Sequence, residues 1–250
     1  MSHAAQVEFF ELVFNFVFPK QETKVQVIDF GSLDINGGPH RLLDSNACNY
    51  VGVDIDKGDN VSLVKRGELV DYPSSTFKIA MSSELFEHTP AWREIFYNMC
   101  RLTEPGGIVV FSCAGRFRPE HGTSRSDNGY SAPFVVAQGV EYYRNVTARD
   151  ISRAFSLNYW FDRYRLVEAQ NFNDTYFVGI RKNGTESELR EFESLCCALD
   201  NRYNLPRFCG QYVFFKSFLF FKIPFLGPTL HRVKKSMNKP FSLFCKLFRV

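Results

Sequence analysis

At 250 residues, with 45% hydrophobic and 23% charged side chains, the chain has the make-up of an ordinary soluble globular protein. It is long enough for one sizeable domain with an appendage, and its composition excludes both a disordered chain and a protein that crosses a membrane many times. The formal net charge of +3 conceals a division: from residue 201 onward ten Lys and Arg residues occur with no Asp or Glu, so residues 1 to 200 carry a net −7.

In chain order, the apolar stretch VEFFELVFNFVF (7–18) contains Glu8 and Glu11, lacks a basic lead-in and has no small-residue cleavage site. It predicts an opening helix or partner surface rather than a signal peptide. Short β-rich runs come next at 24–30 (KVQVIDF), 50–55 (YVGVDI), 76–82 (TFKIAMS) and 106–114 (GGIVVFSCA). Between the last two, Trp92, Ile95, Phe96, Met99 and Leu102 recur at helical spacing, with Pro90 in the first turn and Glu104-Pro105-Gly106-Gly107 as the stop. Strand, helix, strand repeated in this way predicts a mostly parallel sheet with helices on both faces.

A polar loop from Arg116 to about Pro133 succeeds the last of these strands, where such folds place substrates. Beyond it, VTARDISRAF reads as a helix capped by Thr147, and RYRLVEAQ and TYFVGIRK read as a closing antiparallel pair. The core domain is predicted to cover 1–183. An extension covers 184–250, helical over 185–202 and then basic and Phe-rich. Seven cysteines (Cys48, Cys100, Cys113, Cys196, Cys197, Cys209 and Cys245) form no C-x-x-C pair and read as reduced cytosolic thiols in core positions.

The first run ends in Asp29-Phe30-Gly31 and is expected to turn into a helix. Its backbone N–H groups and positive end would then face a ligand that glycine allows to approach closely. G-x-G-x-x-G is absent, which counts against a dinucleotide. Asp54, about 25 positions on, ends the next strand where a carboxylate can accept from a ribose diol. Taken singly, Asp29 would equally serve as a helix cap and Asp54 and Asp56 as turn residues.

Together, DFGSLDING, GVDID and MSSELFEHTPAWREIFYNMCRLTEPGGIVVFS resemble the class I S-adenosylmethionine-dependent methyltransferases over residues 24 to 114. The resemblance implies a Rossmann-like α/β fold with a mostly parallel seven-stranded sheet, extended here by a basic, Phe-rich helical tail. It implies S-adenosylmethionine as cofactor and S-adenosylhomocysteine as product. By position it sets Asp29, Gly31, Asn36 and Gly37 around the methionine and ribose part, Asp54 on the ribose hydroxyls and Ile55 on adenine. Glu68, within Gly67-Glu68-Leu69, and Ser83 complete the expected cofactor contacts. The second glycine of the first loop is displaced to Asn36-Gly37-Gly38.

For chemistry, a hydroxyl acceptor needs a base, and either His88 or His121, with Glu87 beside the former, is the expected catalytic group. Each histidine would otherwise be a structural or surface residue. No metal is assigned, although Glu84, Glu87, Glu120 and Asp127 are carboxylates that could converge on a divalent ion. Arg116, Arg118, Arg125, Asp127 and Tyr130 are the expected acceptor contacts, the arginines suiting an anionic sugar unless they are simply solvated. The loop GRFRPEHGT resembles, more weakly, methyltransferases of bacterial surface-polysaccharide synthesis.

The tail from Gln211 to Leu230 is interrupted by Lys216, Lys222, Pro224 and Pro228, so it reads as a segment lying in a lipid interface rather than spanning it. The resulting expectation is O-methylation of a sugar on a surface polysaccharide or lipid-linked glycan. The protein would be cytoplasmic and peripheral, attached to an anionic membrane through residues 211–250, with no nucleic-acid partner and no oligomer assigned. A lipid, quinone or small-metabolite acceptor, or a non-catalytic scaffold, is the alternative.

Overall fold

The structure, a computed structural model, describes residues 4–18, 24–35, 37–126, 141–169 and 173–203. The expectations for Asn36, Asp127, Tyr130, Cys209, Cys245 and the 211–250 tail lie outside the described residues.

Seven strands form one sheet: β1 (Val25–Phe30), β2 (Cys48–Asp54), β3 (Leu63–Val64), β4 (Phe77–Ser83), β5 (Thr103–Ala114), β6 (Phe161–Ala169) and β7 (Asp174–Arg181). Their order is β3-β2-β1-β4-β5-β7-β6. β1 to β5 run parallel, and β7 inserts antiparallel to both β5 and β6. The predicted class is therefore present: a Rossmann-like methyltransferase fold. The helices are α1 (Ala4–Val17), α2 (Trp92–Leu102), α3 (Ala148–Ala154), α4 (Leu157–Trp160) and α5 (Glu186–Tyr203).

Alternation along the strands builds two cores. Val25, Val27, Ile79, Met81, Ile108, Val110, Tyr176, Val178 and Ile180 face α1 and α5. Ile28, Phe30, Ala80, Val109, Phe111 and Phe177 face α2 and its neighbours on the other side. Burial on both faces explains why the strands read as nearly unbroken apolar runs. On the second face Phe96 is the hub, with ring centroids 5.2 Å from Phe111, 4.4 Å from Phe155 and 5.3 Å from Phe177.

Helix α3 carries the expected Thr147 cap, reciprocated by the Asp150 side chain in a capping box. Helix α5 joins the first core through Phe192, Leu195, Cys196, Leu199 and Tyr203. The described residues up to Tyr203 thus belong to one compact unit. Arg202 and Glu8 tie α5 to α1 through two 2.7 Å bonds, and the Tyr203 hydroxyl donates to the Ala5 carbonyl at 3.0 Å. No helix among the described residues is long and apolar enough to cross a membrane.

One expectation fails. The turn after β1 does not run into an α-helix; among the described residues, β1 and β2 are joined by loop and a single 3-10 turn, Pro39–Leu42. The sequence DINGGPH explains this, because two glycines disfavour helix and proline restricts the residue before it. The Asp34 carboxylate organises the loop instead, accepting from the Gly37 N–H at 2.5 Å and pairing with Arg41 at 2.7 Å and His40 at 3.2 Å.

Candidate active site

The carboxyl ends of β1, β2 and β4 and the loops beyond them enclose a cavity of about 610 Å³. This is the edge where parallel α/β sheets bind ligands. Asp29, Gly31, Gly37, Asp54, Ile55, Glu68, Ser83, His88 and His121 all line it. Gly31 has φ +77°, and a Cβ there would sit 3.0 Å from Leu85, so the turn requires glycine. Its N–H donates to the Val53 carbonyl at 2.9 Å, drawing the loop against β2.

Asp29 is buried, and one carboxylate oxygen accepts from the Tyr50 hydroxyl at 2.7 Å. The other, Oδ1, has no hydrogen-bond partner. Burial pushes this carboxyl up to about 7, against the opposing effect of the Tyr50 hydrogen bond. Asp54 accepts from the Leu33 N–H at 3.2 Å through Oδ2 and from the Asp56 N–H at 3.1 Å through Oδ1. Burial raises its pKa as well, with these main-chain bonds working the other way.

These features fit the cofactor expected from the sequence. An ammonium group would satisfy the bare Asp29 oxygen, and each Asp54 oxygen retains a lone pair for a ribose hydroxyl. Ile35 and Ile55, 45% and 46% exposed beside the cavity, offer apolar surface for a purine. Glu68 lies in a 3-10 turn, Gly67–Leu69, and is held by Arg66 at 2.6 Å. The sequence reading missed Asn98, whose buried amide donates to the Gly67 and Val70 carbonyls at 3.0 and 2.9 Å and pins this turn to α2. A polar residue within an apolar helical pattern was its only sequence signal.

Beyond β4 and β5 a second group of residues converges. Glu84 has φ +54°, an uncommon conformation for a side-chain-bearing residue, at the end of β4. Glu87 is fully buried in the 3-10 turn Phe86–His88, and its Oε1 accepts from the Ala114 N–H at 3.0 Å. Its pKa lies well above the ordinary carboxylate range, through burial first and the neighbouring Glu84 second. His121 Nε2 lies 3.7 Å from Glu87 Oε1 and 3.9 Å from Glu84 Oε2. The His88 and His121 rings meet edge-on at 5.2 Å. Burial lowers His88 to about 3 and His121 to about 4, so both are neutral at physiological pH.

Tyr143, unnoticed in the sequence, donates to the Pro119 carbonyl at 3.0 Å and packs against both imidazoles. Gln6 of α1 reaches the same edge, donating to Ser83 and, at 2.7 Å, to Ser112, whose hydroxyl donates to Glu84 at 3.2 Å. The expected arginines lie elsewhere. Arg116 pairs with Glu168 at 3.5 Å, Arg118 with Asp174 at 2.5 Å and Glu84 at 3.6 Å, and Arg125 with Glu120 at 2.6 Å and Glu141 at 3.4 Å. None of the three lines the cavity.

The sequence profile of a family described as "Methyltransferase domain" matches residues 1–163. No curated protein sequence matches the chain. Among solved structures, it is similar to Haemonchus contortus phosphoethanolamine N-methyltransferase 2 in complex with S-adenosyl-L-methionine, at 15% identity over 69% of this chain and 52% of that one, with a TM-score of 0.46. It is similar to the CurJ carbon methyltransferase at 15% identity over 71% and 54%, with a TM-score of 0.49. A third is Burkholderia thailandensis 1,6-didemethyltoxoflavin-N1-methyltransferase with bound 1,6-didemethyltoxoflavin and S-adenosylhomocysteine, at 13% identity over 72% and 79%, with a TM-score of 0.48. The chain spans about half the length of the first two, and all three TM-scores fall below 0.5, so the assignment rests on the profile. That profile covers more than half of the chain, and with it the chain belongs to the methyltransferase domain family of class I enzymes, whose cofactor is S-adenosylmethionine.

Proposed function

We propose that the protein is an O-methyltransferase whose acceptor is a hydroxyl on a sugar of a surface polysaccharide or lipid-linked glycan. Bound S-adenosylmethionine supplies an electrophilic methyl group on sulfonium. What the chain must add is alignment of a hydroxyl and an acceptor for its proton. Asp29, Asp54 and Ile55 would hold the cofactor at the β1 and β2 end, which directs the methyl group toward β4.

The observation that carries this reading is the character of the β4 end. Glu84, His88, His121, Thr123 and Glu141 line the cavity there, and Arg116, Arg118 and Arg125 do not. A wall of hydrogen-bond acceptors suits a neutral hydroxyl-bearing molecule such as a sugar better than a carboxylated one. His88 and His121 are the candidate bases, neutral and beside the cavity. The glycan and the peripheral membrane location draw their support from the sequence, through the GRFRPEHGT loop and the basic, Phe-rich tail.

The test is incubation with methyl-labelled S-adenosylmethionine and separated envelope glycolipid, simple lipid and soluble metabolite fractions. Alkali-stable label in the glycolipid fraction is the expected outcome. Label confined to simple lipid or metabolite would overturn the glycan acceptor. A chain that binds no S-adenosylhomocysteine would indicate a scaffold.

A further inference from the structure

Glu87, His88 and His121 each offer a ligand atom, and these atoms all lie within 4.8 Å of one another. Two of the three come from one 3-10 turn, and the third arrives from the loop after β5. Their hydrogen-bonding geometry is unusual for groups so enclosed. His121 Nδ1 lies 3.1 Å from the Pro119 carbonyl and 3.2 Å from the Tyr143 hydroxyl; in the tautomer that donates to Pro119, Nε2 presents a lone pair. Nε2 faces Glu87 and Glu84 carboxylate oxygens at 3.7 and 3.9 Å and has no hydrogen-bond partner. Glu87 is 0% exposed, and its Oε2 is also without a partner. Acceptors aimed at acceptors in a buried site repel unless a positive charge lies between them.

We infer that Glu87, His88 and His121 form a binding site for a divalent first-row transition metal, at the β4 end of the cavity. Two imidazoles and one carboxylate suit zinc, iron(II), cobalt or manganese, whereas magnesium and calcium favour all-oxygen sets. The surroundings match what such ligands require. The Pro119 carbonyl can accept from His121 Nδ1 in the tautomer that a metal on Nε2 requires, and the Ala114 N–H orients the Glu87 carboxylate. His88 and His121 also line the cavity, which leaves an approach for the ion and for a further ligand. The left-handed backbone at Glu84 brings a second carboxylate to within 3.9 Å of His121 Nε2. The rival occupant of this space is a proton on Glu87.

The inference concerns metal binding alone and stands whatever the methyl acceptor is, but an imidazole that ligates an ion has no lone pair left for a proton, so an occupied site would exclude the histidine bases proposed above. The untagged full-length protein, stripped with chelator, would be titrated with cobalt(II) and monitored by visible absorption, then by calorimetry with zinc or manganese. One ion per chain, the visible bands of a low-coordinate nitrogen and oxygen site, and failure of excess magnesium to compete are expected. Glu87→Gln, which keeps the acceptor for Ala114, and His121→Ala should each weaken binding at least a hundredfold with unchanged circular dichroism. Absence of stoichiometric binding would overturn the site in favour of the proton. Equal competition by magnesium, a thiolate-to-cobalt charge-transfer band, or full affinity in folded Glu87→Gln would overturn the assigned ligands. The spectrum and the magnesium competition use the parent protein, so a variant that fails to fold leaves the test intact.

Discussion

The two ends of the cavity are built on different principles. At the β1 and β2 end, side chains are fastened to nearby main chain: Asp54 to Leu33 and Asp56, Asp34 to Gly37, and Gly31 to Val53. At the β4 and β5 end, buried groups from distant segments meet one another; Glu87 Oε2 and His121 Nε2 are left without hydrogen bonds there, as Asp29 Oδ1 is at the first end. The first end is a mould with its shape already set. The second is a cluster of titratable groups gathered from separate elements, an arrangement common at functional sites.

Substitutions can separate the two. His88→Ala and His121→Ala should have the largest effect, lowering turnover by about 10²- to 10⁴-fold while S-adenosylhomocysteine affinity, read by calorimetry, stays within about twofold. Loss of cofactor binding in either variant would mean that the two ends are not independent.

Asp29→Asn probes charge at the first end through pH. In the folded chain Asp29 holds its proton up to about 7, against an ordinary value of 3.8. Between those limits the native state binds more protons than the unfolded state, so this group's contribution falls as pH rises through the window and is flat above it. The parent should therefore lose up to about 4 kcal/mol relative to Asp29→Asn between about pH 4 and pH 7, measured as the difference between their urea-unfolding curves. Parallel curves would show that Asp29 ionises freely.

Asp54→Ala should weaken S-adenosylhomocysteine binding by about 1.5–3 kcal/mol, the worth of hydrogen bonds to a charged group, with acceptor KM unchanged. The smallest effect is expected at Arg116, whose exposed side chain pairs with Glu168 at 3.5 Å. Arg116→Ala should change stability by less than about 0.5 kcal/mol and leave acceptor KM in place. A tenfold rise in KM would return that loop to acceptor recognition.

The same contrast governs what could be read from the sequence. Strands such as β1, β4 and β5 were legible because burial on both faces leaves continuous apolar runs, and α2 because its buried residues recur at helical spacing. The two-residue β3 and the four-residue α4 are too short to show any period. A helix after β1 was expected because Asp29-Phe30-Gly31 promises a turn, but the glycines and proline farther along keep that turn from continuing as a helix. At the site, the adjacency of Glu87 and His88 was visible locally. Their meeting with His121 and Tyr143 depends on where the loop after β5 folds back, and no spacing in the sequence encodes that. Gln6 lies 77 positions from Ser83 and 106 from Ser112, and it announces nothing of its role.

The clasp between α1 and α5 has a consequence for biosynthesis. Helix α1 leaves the ribosome before α5, yet its aromatic face packs on Tyr176 and Tyr203, and Ala5 waits 198 residues for the Tyr203 hydroxyl. Until then a Phe-rich helix is left without much of its covering surface, in a chain whose sheet also seats its seventh strand between the fifth and the sixth. Contacts of such long sequence separation form slowly and favour aggregation of the nascent chain. Because Gln6 sits on that helix, the Ser83 and Ser112 contacts beside the cavity share a support with the clasp.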